Sequence, residues 1–150
     1  MIKLLYAMLG TLGFGILFNA NKNKLYYIMM GGFLNYLGYM VTFNLTENIF
    51  LSSGICAIVT SVYSNVLAKI LKCPSTIFVL TGLIPSVPGS SLFYTMQNIV
   101  LGNSKIALDQ GIITIEVILG IVSGILFVSV FDVVLKEIKK ACYNKNKERI

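Results

Sequence analysis

Four or five stretches of about 20 residues that carry almost no charge constrain this chain more than any other feature. A helix of that length crosses the roughly 30 Å hydrocarbon core of a bilayer. Inside lipid each backbone N–H and C=O must be satisfied within its own segment, so these stretches are expected to be helices. A transmembrane barrel would alternate apolar and polar residues, and the run from Ile112 to Phe131 does not alternate. The sequence therefore predicts an all-α integral membrane protein.

The small share of charged residues supports the same interpretation. Only 12% of the residues are charged, against roughly 25% in soluble domains. The net charge of +6 could indicate a nucleic-acid partner, but half of the twelve basic residues follow Phe131. Tyr143 is the only aromatic residue among them. A basic tail of this kind is typical of a cytoplasmic end, and we expect no nucleic-acid binding.

The uncharged runs predict about five transmembrane helices in one domain, residues 1–135, followed by a basic cytoplasmic tail, residues 136–150. If the N-terminus is outside the cell and the tail inside, ten of the twelve basic residues lie on the cytoplasmic side. That asymmetry is what the positive-inside rule expects of a multi-pass inner-membrane protein. The predicted spans cover residues 2–19, 25–43, 49–70, 75–101 and 112–135.

The fourth span is predicted to be broken between Pro85 and Ser91. Pro85 and Pro88 each lack a backbone donor, and their rings clash with carbonyls four residues earlier. Gly89 is expected to adopt a backbone angle that other residues avoid. Non-helical backbone at membrane depth is tolerated only where protein or water covers it. The alternative is a simple proline kink, which is common in membrane helices.

A substrate site is predicted at this break. A second half-helix would start near Ser90 or Ser91, both good N-cap residues. Its free N–H groups and positive dipole end would face the middle of the membrane. Secondary transporters bind substrate carboxylates with discontinuous helices of this kind. Pro85, Pro88 and Gly89 shape the predicted site, and the residues expected to complete it are Asn35, Thr60, Ser64 and Gln97.

Polar and small residues also recur at helical spacing in the second, third and fifth spans, where they predict either packing seams or a pathway. Glu116 is the only acid clearly inside a span and is a candidate for ion coupling. It lies only about one turn from the predicted start of its span, so an interfacial position is the alternative. Asp132 is expected to pair with Lys136, four residues later.

Catalytic and metal chemistry are not indicated. The chain has three cysteines, no histidine and six scattered acids, and no C-x-x-C spacing occurs. It has no phosphate-binding loop of the G-x-x-x-x-G-K-[ST] type. We expect no enzymatic activity, no cofactor and no metal, and a driving force that comes from an ion or substrate gradient.

Three segments carry a resemblance to a known family. They are Gly13-Phe14-Gly15-Ile16-Leu17-Phe18-Asn19, Pro74-Ser75-Thr76-Ile77-Phe78, and Gly82-Leu83-Ile84-Pro85-Ser86-Val87-Pro88-Gly89-Ser90 with Tyr94-Thr95-Met96. Together they resemble the threonine/serine exporter family. In length and order the chain is similar to the family's short YjjB-like subunit, and the Pro-x-x-Pro-Gly segment is the most specific motif.

The resemblance implies export of threonine, serine or dicarboxylates such as succinate. It also implies a larger split-exporter membrane subunit with a cytoplasmic N-terminal region as partner. Five spans give a thin bundle around a site at membrane depth, so a hetero-oligomer is expected. The alternative function is a non-transporting scaffold subunit that stabilises a membrane partner.

Overall fold

The computed structural model describes residues 2–147, with side chains for residues 2–138 and Lys140. Arg149, at the end of the predicted basic tail, lies outside the described residues. The described chain consists of helices and turns, with short 3-10 turns at Lys22–Lys24 and Ile84–Ser86. The α-helices are α1 (Ile2–Leu17), α2 (Leu25–Thr46), α3 (Ile49–Leu71), α4 (Ser75–Leu83), α5 (Gly89–Val100) and α6 (Ser104–Lys147).

Contacts between the helices define the direction of each. Helices α1 and α2 are antiparallel, since Gly15 packs on Ile28 while Lys3 lies near Asn44. Helix α3 returns antiparallel to α2, and α4 is antiparallel to α3. Helix α6 runs parallel to α3, because Gly120 meets Gly54 and Asp132 meets Lys69.

These directions give the bundle two chemically different ends. The lysine end carries Lys22, Lys24, Lys69 and Lys72, and the C-terminal half of α6 runs to it. The distal end is the one at which α1 and α3 begin, and α6 starts on the same side of the bundle. The connections at the lysine end therefore hold several cations, as the predicted topology requires.

Two helices in the described part of the chain are long and apolar enough to cross a membrane, Ile49–Leu71 and Ser104–Ile138. A third candidate span is the bent pair Ser75–Ser86 and Gly89–Val100, and Ile2–Leu17 is a shorter apolar helix. The all-α prediction is confirmed, and each of the five predicted runs contains helix. Five crossings remain a prediction.

Two predictions about the last helix were wrong. Helix α6 begins at Ser104, so the connection between the fourth and fifth predicted spans, which includes Asp109, is mostly helical. The chain turns earlier, at Gly102, whose φ of +76° suits glycine. Asp132 does not pair along its own helix with Lys136: it accepts a hydrogen bond from Asn65 and lies 3.8 Å from the Lys69 ammonium. Both partners belong to α3, and a contact between helices is not visible in local spacing.

The α3–α6 contact is formed by small residues. A β-carbon added at Gly124 would lie 2.5 Å from the Gly54 carbonyl oxygen and 2.9 Å from the Ala57 β-carbon. One added at Gly120 would lie 2.6 Å from the Phe50 carbonyl oxygen. We call this contact the glycine seam, and it confirms the packing interpretation of the fifth-span glycines.

Candidate functional site

The break in the fourth run is built by the two prolines. Helix α4 ends at Leu83, and a 3-10 turn over Ile84–Ser86 follows. Val87 is extended, with φ −63° and ψ 127°, and Pro88 is the N-cap of α5. Ile84 keeps α-helical angles before Pro85, with φ −48° and ψ −44°. Val87 is extended because the residue before a proline is disfavoured in the α region, and both prolines lack the N–H that would continue the helix. The two half-helices meet at 56°, so the predicted break is confirmed.

The predicted roles of the glycine and serines at the break were wrong in detail. Gly89 is the first residue of α5, and its φ lies outside the left-handed region. A β-carbon there would meet nothing within 4 Å. Neither Ser90 nor Ser91 is the N-cap, because Pro88 takes that position without a side-chain hydrogen bond. The chain changes direction at Val87 and Pro88, which leaves Gly89 free to be helical.

The first turn of α5 keeps two unpaired backbone donors. The Gly89 amide donates to the Val87 carbonyl at 2.8 Å, and the Leu92 amide donates to the Pro88 carbonyl at 3.0 Å. Within the described residues, the amides of Ser90 and Ser91 donate to no backbone carbonyl. Both serines line a cavity of about 210 Å³. Its other walls are Tyr36, Tyr39, Ile49, Pro85, Ser86, Pro88, Ile113 and Val117.

A buried polar network holds the break against α2 and α3. The Ser86 hydroxyl donates to Asn35 Oδ1, and Asn35 Nδ2 donates to Thr60 Oγ1 at 2.9 Å. Thr60 Oγ1 in turn donates to the Cys56 carbonyl at 2.8 Å, and Cys56 Sγ lies 3.3 Å from Ser86 Oγ. Since buried polar groups are costly when unpaired, this closed set of bonds fixes Ser86 to both neighbouring helices.

Two of the four residues predicted to complete the site belong to this network. Asn35 and Thr60 are fully buried at the break, and the Asn35 amide group is engaged on both atoms. Ser64 is also buried, one turn further along α3, and its hydroxyl donates to the Thr60 carbonyl at 2.7 Å. Gln97 is exposed on α5, about two turns beyond Ser90, and does not line the cavity. The structure thus brings Asn35 and Thr60 to the break and leaves Ser64 and Gln97 outside it.

Glu116 lies beside the cavity but not in its wall. It is half-buried on α6, between Ile113 and Val117, which do line the cavity. Gly120 packs at the level of Phe50. Glu116 is one turn earlier and therefore roughly 6 Å closer to the distal end, near the level at which α3 begins.

Sequence reasoning missed four residues of this region. Ser86 was named only as part of the segment around the break, and Cys56 was not among the predicted site residues. Tyr36 and Tyr39 were not predicted as site residues either, yet both line the cavity. One signal was available for Tyr39, because it follows Asn35 by four residues and so shares its helix face.

No group of three or more metal-ligating side chains occurs among the described residues. The donors at the break are amides and hydroxyls, which suit an anion or a polar organic molecule.

Comparison with known proteins identifies the family. A family model described as "Threonine/Serine exporter, ThrE" matches residues 3–131, which cover α1 to α5 and more than half of α6. No curated protein and no solved structure matches the chain.

Proposed function

From the premise that this chain belongs to the threonine/serine exporter family, we propose that it is one subunit of a secondary transporter for small carboxylate-bearing metabolites. The family assignment and the apolar helices make it a multi-pass membrane protein of a transport family. Threonine, serine and dicarboxylates such as succinate are the proposed substrates, and export across the inner membrane is the proposed direction.

The observation that carries the proposal is that Ser90 and Ser91, whose backbone amides have no backbone acceptor, both line the cavity at the break. The N–H groups of Ser90 and Ser91 lie at the positive end of α5. A helix N-terminus is a natural binding place for an anion. The cavity of about 210 Å³ is smaller than the roughly 300–1,000 Å³ pockets that hold drug-sized ligands. It therefore suits a metabolite of a few heavy atoms with one or two carboxylates.

The open side of the site supports a hetero-oligomer. Unwound backbone that faces lipid costs several kcal/mol for each unsatisfied group. Gly89 and Ser90 at the break are exposed in the isolated chain. We propose that a larger split-exporter subunit, with a cytoplasmic N-terminal region, covers this side and completes the pathway.

Charge at the two ends supports an orientation. Lys22, Lys24, Lys69 and Lys72 gather at the lysine end, to which α6 also runs. The positive-inside rule favours a cytoplasmic position for that end. The proposed topology therefore has the N-terminus outside and the C-terminal tail in the cytoplasm.

Glu116 is the proposed ion-coupling residue. It is half-buried and adjoins the two α6 residues in the cavity wall. An ionisable side chain within a membrane-spanning segment is rare outside functional sites, which supports this role.

The proposal is tested by counterflow uptake in proteoliposomes, with this chain alone and with its co-purified partner. Serine, threonine, alanine and succinate form the substrate panel. The double variant Pro85→Ala/Pro88→Ala should let the helix run on and reduce uptake at least tenfold. Gly89→Ala is the matched control, since its β-carbon meets nothing and its backbone is already helical.

Uptake that requires the partner, is lost in the double variant and persists in Gly89→Ala supports the split exporter. Unchanged uptake in the double variant would remove the break from the mechanism. A stable complex without uptake of any panel substrate would instead favour the scaffold function.

A further inference from the structure

Three cavities meet at one tyrosine on α2. Tyr36 lines the cavity at the break, a second cavity of about 310 Å³, and a third of about 650 Å³. Tyr39 lines the first and the third, while Lys3 lines the second and the third. The largest cavity extends along α2 to Asn44, close to the distal end. The three cavities therefore lie between that end and the break, and Tyr36 and Tyr39 lie in the walls that they share.

The bend in the fourth run creates this space. At the break the chain turns by 56°, and α5 packs on α6. Beyond Pro85 the first residues of α1 and the last two turns of α2 consequently have no fourth-run helix between them. The two prolines therefore create both the cavity at the break and the open space between α1 and α2.

Lys3 is the one charged side chain that lines any of these three cavities. Among the side chains that the structure describes, the only ion pair joins Lys69 and Asp132 at the other end. The Lys3 ammonium thus has no carboxylate partner among them. Lys3 is exposed, and an unneutralised cation in the wall of a concave surface attracts anions towards it.

We propose that this space is a water-filled vestibule through which substrate carboxylates pass between the distal end and the break. Lys3 attracts the carboxylate, and the Tyr36 and Tyr39 side chains separate the vestibule from the site. This inference rests on the proposed function, because it names the path of the same anionic substrate.

The competing explanation is an interfacial belt. Tyrosine and lysine are common at membrane–water interfaces, where they face headgroups. Belt residues point away from the bundle. Tyr36 and Tyr39 are half-buried and line spaces between helices, including the cavity at the break. Their placement therefore matches a pathway better than a belt.

The test measures water access and local charge in the full complex in proteoliposomes. In a background with Cys73→Ser and Cys142→Ser, which keeps the fully buried Cys56, Tyr39→Cys reports on the vestibule. Val41→Cys is the matched control, since Val41 is exposed two residues away and lines none of the three cavities. Each variant is treated with an anionic and with a cationic methanethiosulfonate reagent.

We expect Tyr39→Cys to react with both reagents and Val41→Cys to stay unreactive in lipid. Lys3→Gln should lower the anionic-to-cationic rate ratio about fivefold, the order expected for one unit charge several ångströms away in water. Lys3→Arg should preserve the ratio. Lys105→Gln, which removes an equal charge from the same end outside the cavities, should leave it unchanged.

The vestibule proposal is overturned if Tyr39→Cys does not react, or if Lys3→Gln leaves the anionic-to-cationic rate ratio unchanged. Uptake is measured in the same vesicles, so the two proposals fail separately. A Lys3-dependent ratio without uptake of any panel substrate keeps the vestibule and refutes the transport proposal. Partner-dependent uptake without a Lys3-dependent ratio keeps transport and refutes the vestibule.

Discussion

The glycine seam and the region around the break both carry small and polar residues on their helix faces, but the helices pack closely only at the seam. At the seam, Gly120 and Gly124 bring α6 so close to α3 that no β-carbon fits. At the break, Pro85 and Pro88 turn the chain away and leave neighbouring cavities that all have Tyr36 in their walls. In both regions small and polar residues lie on helix faces, yet one region is closed and the other is hollow.

The difference shows why a stripe of small residues is ambiguous in a sequence. Small residues allow close approach only where a partner helix runs alongside for several turns. Helices α3 and α6 do so, being parallel and long. A broken helix cannot follow its neighbours beyond the break. A face of small residues therefore packs closely when the opposing helix is straight, and it borders open space when that helix is broken.

The largest loss of stability is expected from a substitution that adds a side chain at the seam. Gly120→Ala should lower the free energy of unfolding by about 3 kcal/mol, because its β-carbon would clash with the Phe50 carbonyl and the Ser53 hydroxyl. Unfolding is measured by denaturant titration in mixed micelles. Gly13→Ala, in open space on α1, should instead stabilise by up to about 1 kcal/mol through helix propensity. Equal effects of the two substitutions would contradict the seam.

A smaller and reversible effect is expected beneath the break. A β-carbon at Gly82 would lie 2.7 Å from the Thr60 methyl group. Gly82→Ala should therefore cost about 1–2 kcal/mol of unfolding free energy. Thr60→Ser removes that methyl group and keeps the hydroxyl that bonds Asn35, so the double variant should recover about 1 kcal/mol. Strictly additive losses in the double-mutant cycle would show that the two residues do not touch.

The weakest contribution is expected from the charged contact that ends the seam. The Lys69 side chain is 69% exposed and that of Asp132 26% exposed, and exposed pairs contribute at most about 1 kcal/mol. Asp132→Asn should lower the free energy of unfolding by less than that, and the difference should shrink in high salt. A large, salt-independent loss would mean that Asp132 acts as a buried group.

Much of the fold could be predicted because charge and hydropathy mark helix limits directly. The run that ends at Lys69 and Lys72 corresponds to α3, and the two prolines located the break. The partners of the break could not be predicted in the same way. Ser86 bonds Asn35 and lies beside Cys56 only because three helices converge there. Periodicity describes one helix at a time and is silent about its neighbours.

The predicted site shows the same limit. Ser90 and Ser91 line the cavity as predicted, but the reason is not capping: Pro88 is the N-cap, and the two serines lie in the first turn of the helix. Gln97 has a suitable side chain but lies about two turns too far along α5. Residue chemistry was enough to identify candidate site residues. Which of them lie at the cavity depends on the bend between α4 and α5, and the sequence does not give that angle.

The broken run also has a consequence for how the protein is made. Its halves, α4 with nine residues and α5 with twelve, are about 14 and 18 Å long, so neither can cross roughly 30 Å of hydrocarbon alone. The polar side chains that bond Ser86 come from α2 and α3, which the ribosome delivers first. The fourth run is therefore completed by a hydrogen bond to a segment that is already made: Asn35 is translated 51 positions before Ser86.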